Sequence, residues 1–198
     1  MTRPFEALTV PKKQASLPRG IWGLILFVAS EGTLFGVIFG SYFYLRFKSV
    51  HWPPEGIPAP STVVPLILAG VLATTSVPMQ LAYAAVRAGR ARLGQLFLFV
   101  ALFVQCGYFA MQMHLFVHEV HAHPPQLHAY TSITQLMEGA DHFHVFVGIL
   151  LNLFLIAKLL DGRITGYRLT GVRAGAYYWH FVNLLTLFVV GAQLSPSV

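Results

Sequence analysis

The chain has 198 residues; 13 are Lys or Arg and seven are Asp or Glu, so 10% of it is charged while 56% is hydrophobic. Soluble domains carry about 25% charge, and a folded surface of this size needs polar side chains to stay dispersed. The composition excludes a soluble globular enzyme, a disordered chain and a disulfide-stapled one, and leaves an integral membrane protein of one domain. The single cysteine, Cys106, lies inside an apolar run, which rules out an internal disulfide and a Cys-x-x-Cys-His haem attachment. A net charge of +6 does not mark a nucleic-acid binder here. The basic residues lie between apolar runs instead of clustering on one face.

Residues 1–20, with Pro4, Pro11 and Pro18, read as an N-terminal arm, and residues 21–198 as one transmembrane domain. A spanning helix needs about 20 mainly apolar residues to cross roughly 30 Å of hydrocarbon. Five segments qualify. The first, 21–45, is interrupted only by Glu31. The second, 62–86, has no charge but contains Pro65 and Pro78, and the third, 93–117, is also uncharged. The fourth, 133–157, is polar at its Asp141 end and later contains His144 and Asn152. The fifth, 174–194, is uncharged. Barrel strands would alternate between apolar and polar residues, and these runs do not. The expected fold is all-α, an integral membrane bundle of five transmembrane helices.

Charge gives the expected orientation. The arm holds Arg3, Lys12, Lys13 and Arg19; the 2–3 connection holds Arg87, Arg90 and Arg92; the 4–5 connection holds Lys158, Arg163, Arg168 and Arg173. Only Arg46 and Lys48 fall on the other side. The positive-inside rule then puts the N-terminus in the cytoplasm and the C-terminus outside. Trp22, Trp52 and Trp179 fall at span ends, where an aromatic belt is expected. A first apolar run of 25 residues is too long for a cleavable signal, whose apolar region has about 7–15.

Several polar residues stand out within the spans. Glu31 lies near the middle of the first, where an acid costs about 2.5–3.5 kcal/mol on insertion scales and marks a functional site by default. Gln105 and Tyr108, at similar depth on the third span, are its expected partners. Gly32, Gly36 and Gly40 repeat the spacing that lets helices approach closely, so a packed seam is expected there. His180 and Asn183 share a face of the fifth span and suit interhelical hydrogen bonds. On the opposite side, His114 and His118 share a helix face, and His121, His123 and His128 follow in a loop with Glu119. His114, His118, His121 and His123 are candidate metal ligands, although their spacing matches no closed ligand set, and polar packing against a partner is the default.

Three runs carry a family resemblance: WGLILFVASEGTLFGVIFGSYFYLRF (22–47), HVFVG (144–148) and YYWHFVN (177–183). In order and spacing they resemble the cytochrome c oxidase subunit III family, over roughly Trp22 to Leu194. The resemblance implies an accessory subunit of a proton-translocating haem-copper oxidase that is not catalytic by itself. It implies a short five-helix bacterial form in the cell's inner membrane, with no cofactor of its own. Haem and copper would sit in partner subunits, chiefly the catalytic subunit I. It also implies bound phospholipid, support of proton uptake and of the stability of subunit I, and a functional role for Glu31. Arg173, Trp179, His180, Asn183 and His144 become candidate lipid or interhelical contacts. Three positions depart from the family pattern: Asn183 stands where Asp is frequent, Arg173 where Glu is frequent, and Asp141 where a His-x-x-His pair has its first histidine. Arg173 suits a phospholipid phosphate. The alternatives are a metal-binding or metal-transporting membrane protein using the outer histidines, a haem anchor, and a related partner of a nitric oxide reductase.

Overall fold

A computed structural model describes residues 19–59, 61, 63–164 and 169–194, so all but the end of the N-terminal arm lies outside the described residues. Every regular element among them is helical: α1 (Arg19–Lys48), α2 (Val63–Thr74), α3 (Ser76–Arg87), α4 (Ala91–Ala122), α5 (Ala129–Leu160) and α6 (Thr170–Leu194).

Among the described residues, four helical stretches are long and apolar enough to cross a membrane: Gly20–Lys48, Val63–Arg87, Ala91–Ala122 and Ala129–Leu160. The fifth expected span, α6, has 25 residues, about 37 Å at 1.5 Å per residue. Its length suffices, but Tyr177, Tyr178, Trp179, His180 and Asn183 dilute its apolar character. It tolerates them because it is a central helix, in contact with α1, α2, α3 and α5. With α5 it forms the middle of the bundle. On one flank, α1 touches only these two helices; α2, α3 and α4 pack on the other.

The second expected span is two helices. Pro78 has no N–H to donate to Thr74, and its ring crowds that carbonyl. The chain breaks at Thr75, whose amide and hydroxyl both turn back to the Leu72 carbonyl, at 2.9 and 2.6 Å. The third and fourth spans run further than their apolar cores. At 32 residues each, about 48 Å, they extend beyond the hydrocarbon. His121 is therefore helical, not in a loop. His128 caps α5: its Nδ1 accepts from the Tyr130 amide at 3.0 Å, while its own amide donates to Thr131 Oγ1 at 3.2 Å.

Two packing expectations are corrected. Trp179 is not in an interfacial belt but fully buried, because Gly148 on α5 leaves room for it. A Cβ at Gly148 would stand 2.7 Å from Trp179 Cζ2 and 3.0 Å from Tyr178 Cε1. Gly32, Gly36 and Gly40, by contrast, form no packed seam among the described residues. They are exposed, and a Cβ on any of them would meet nothing within 4 Å. The buried face of α1 is Phe35, Ile38 and Tyr42, packed with Met137 of α5 and Leu185 and Val189 of α6.

Candidate functional site

Glu31 is half-buried on the same side of α1 as Phe35, which turns it toward α5 instead of the glycine strip. There it meets His144, with Glu31 Oε2 3.0 Å from His144 Nε2. The other ring nitrogen fixes the chemistry. His144 Nδ1 lies 2.7 Å from the Ala140 carbonyl, which can only accept, so Nδ1 carries a hydrogen. A carboxylate beside a bare Nε2 would be two acceptors facing each other. One proton therefore lies between them, either on Glu31 and donated to the ring, or on Nε2 and donated to the carboxylate. In both forms the pair is neutral overall, which limits the cost of placing it in lipid.

The surroundings hold this geometry. The Phe35 and Phe143 rings stand edge-on to the imidazole, at centroid distances of 5.3 and 6.0 Å. Tyr178 donates from its hydroxyl to the His144 carbonyl at 2.8 Å, joining α6 to the same turn of α5. The His144 side chain is 6% exposed and that of Glu31 19%, so the pair opens outward only along the carboxyl.

The expected partners of Glu31 are engaged elsewhere. Gln105 accepts from Asn152 Nδ2 at 2.9 Å, and the same amide reaches the Leu98 carbonyl at 3.3 Å. Both side chains are fully buried, an α4–α5 tie with no access to α1. Tyr108 is approached by Gln112 at 3.4 Å and lies near Thr186 and Asp141. Depth alone suggested these partners. The rotation of α4 turns them away from α1, with which it makes no contact.

Asn183 reaches the break in the second span, donating to Ser76 Oγ at 2.7 Å and Thr75 Oγ1 at 3.3 Å. His180 Nε2 lies 3.3 Å from Gln80 Oε1. Arg173 folds back along its own helix, where Nε donates to the Tyr177 hydroxyl at 3.1 Å and the guanidinium stands 5.3 Å from the ring centroid. His114, His118 and His121 are exposed, and His123 meets Glu119 at 2.9 Å. Among the described residues no group of three or more His, Cys, Asp or Glu side chains could hold a metal ion. The metal-site alternative therefore has no ligand set there.

A second polar centre lies between α5 and α6. Asp141 is fully packed inside the bundle, and both its oxygens accept from Thr186 Oγ1, at 2.9 and 3.1 Å. One turn earlier, Glu138 accepts from Gln193 Nε2 at 2.7 Å. Glu31 is thus not the only acid inside the bundle. The signal was present as two acids three apart on α5 and a threonine and a glutamine seven apart on α6, each pair on one helical face.

These features define a multi-pass α-helical membrane protein organised around buried polar pairs. A family model for cytochrome c oxidase subunit III matches residues 6–192. A cytochrome c oxidase subunit 3 of Thermostichus vulcanus is 26% identical over 170 residues, 85% of this chain and 83% of that one. A protein of the same name from Synechocystis is 27% identical over 173 residues, covering 86% and 73%. A haem-copper oxidase subunit I+III of Aeropyrum pernix is 31% identical over 177 residues, 83% of this chain and 21% of that longer protein. The chain belongs to the cytochrome c oxidase subunit III family, and is a membrane subunit of a respiratory haem-copper oxidase.

Proposed function

We propose that the chain is a redox-inactive accessory subunit seated beside subunit I of a proton-translocating terminal oxidase, with haem and copper held by its partners. In this reading it crosses a bacterial inner membrane five times, α6 included, with its 1–20 arm in the cytoplasm and its C-terminus outside. The distribution of Lys and Arg supports that orientation. The Aeropyrum relative, named as subunits I and III in one chain, supports subunit I as the neighbour. So does the exposed glycine strip of α1, where low side-chain bulk lets a second helix approach.

The observation that carries the functional reading is the Glu31–His144 pair, which holds one proton inside the bundle with its carboxyl edge open to the surroundings. It serves the stability of the working oxidase and the ordering of phospholipid against α1 and α5. Arg173 suits a phospholipid phosphate, since the Tyr177 contact uses only one of its five donors.

Native mass spectrometry of gently solubilised membranes tests the assembly. The chain is expected to travel with a much larger haem-bearing subunit and with phospholipid. Migration alone, or haem bound to the isolated chain, would overturn the reading.

A further inference from the structure

Asp141 is buried between α5 and α6, and among the described residues its carboxyl has one hydrogen-bond partner, the Thr186 hydroxyl. A carboxylate offers about four acceptor sites, whereas a hydroxyl has a single hydrogen to give. The Val182 carbonyl competes for that hydrogen. Thr186 Oγ1 lies 3.1 Å from it, against 2.9 and 3.1 Å from the two oxygens of Asp141.

No positive group compensates. Among the described residues Asp141 forms no ion pair, and the cavity that it lines includes no Lys or Arg. On α4, Tyr108 is near, while His118 and Glu119 also line that cavity, and His123 meets Glu119 at 2.9 Å. On α5, Glu138 one turn earlier is a second acid, and His142 turns its ring to Phe116, 5.2 Å away between centroids. On α6, Tyr178, Thr186 and Gln193 bring no charge. On α1, Glu31 already shares a proton with His144. The described lining from the connection before α2, which includes Ser61, has no titratable side chain.

A buried carboxylate with one donor and no counter-charge is costly. A proton on the carboxyl removes that cost. The carbonyl oxygen still accepts from Thr186, or the acid's own O–H donates to Thr186 Oγ1 while the threonine hydrogen serves Val182. A carboxylate allows only the first arrangement.

We propose that Asp141 is a neutral carboxylic acid in the folded bundle, and that its proton is a lock between α5 and α6. The lock is closed while the proton is held. When the proton passes to water through the cavity of about 360 Å³ that Asp141 lines, a lone anion remains beside Glu138 and the α5–α6 contact loosens. The inference stands whether or not the Glu31–His144 pair acts as proposed above. Asp141 occupies a position where the family resemblance leads to histidine, so the lock is a property of this chain.

Infrared spectroscopy of the intact complex tests the neutral form, because a protonated carboxyl has a C=O stretch that a carboxylate lacks. Difference spectra against the parent should show such a band lost in Asp141→Asn. In Thr186→Val, where the carbonyl oxygen has lost its donor, the band should move to higher frequency. An Asp141→Asn complex that keeps every carboxylic-acid band of the parent would overturn the proposal. Thermal unfolding of the same complexes tests the lock. A proton held only in the folded bundle makes rising pH destabilising, so the parent should lose more stability between neutral and alkaline pH than Asp141→Asn, which has nothing to titrate there. Equal losses would overturn it. If Asp141→Asn does not assemble, Thr186→Val decides, and a carboxylic-acid band that stays in place would overturn the proposal.

Discussion

Glu31 on α1 and His144 on α5 share one proton across a 3.0 Å contact, because the Ala140 carbonyl commits the other ring nitrogen to donating. Replacing Glu31 by Gln keeps a donor for Nε2, whereas Ala leaves that nitrogen with none. An unsatisfied buried polar group costs about 1–3 kcal/mol. Thermal unfolding of the complex should therefore show Glu31→Gln near the parent and Glu31→Ala clearly below it. Equal losses would place the effect in volume, not in the hydrogen bond.

Glycines of one chain should respond in opposite ways. Gly148→Ala drives a methyl into Trp179 and Tyr178, an overpacking that costs about 1–3 kcal/mol. Gly36→Ala meets no described atom within 4 Å, and at such a site in a helix interior alanine is favoured over glycine by about 0.5–1 kcal/mol. Unfolding of the isolated chain in detergent checks both. If the α1 strip receives a partner helix, Gly36→Ala should weaken assembly of the complex while leaving that fold intact.

The Gln105–Asn152 tie is a fully buried polar link between α4 and α5. A double-mutant cycle with Gln105→Leu and Asn152→Leu isolates it. Coupling of about 0.6–2 kcal/mol is expected from interhelical hydrogen bonds in membranes. Strict additivity would mean that the contact contributes nothing.

Among the described residues, Thr186 is the side chain that donates to both oxygens of Asp141. Thr186→Ser keeps the hydroxyl, and Thr186→Val removes it at nearly constant shape. The valine variant should lose about 1–3 kcal/mol and the serine variant well under half of that, read from the unfolding of the isolated chain. Equal behaviour would show that Asp141 does not depend on this donor.

Much of this was legible in the residues. The helical character of the apolar runs and their order follow from hydropathy, and the cost of an acid in lipid is what singles out Glu31. What the sequence could not reveal was rotation. Gln105 has the right depth to meet Glu31 but faces Asn152; His144, 113 residues away, has the right azimuth. Gly32, Gly36 and Gly40 have the spacing of a packed seam, yet that spacing is equally satisfied by a strip that awaits another chain. Trp179 near a span end suggested a belt, but the missing side chain at Gly148 draws it into the core. Asp141 reads as the polar end of a span because its counterpart Thr186 lies on a different helix.

The most direct measurement counts turnovers before inactivation in purified oxidase carrying Glu31→Ala, with bound phospholipid assayed in the same preparation. The account predicts a complex that assembles with its full set of subunits but works for a shorter time or holds less or different lipid. An unchanged working lifetime together with unchanged lipid content would contradict it.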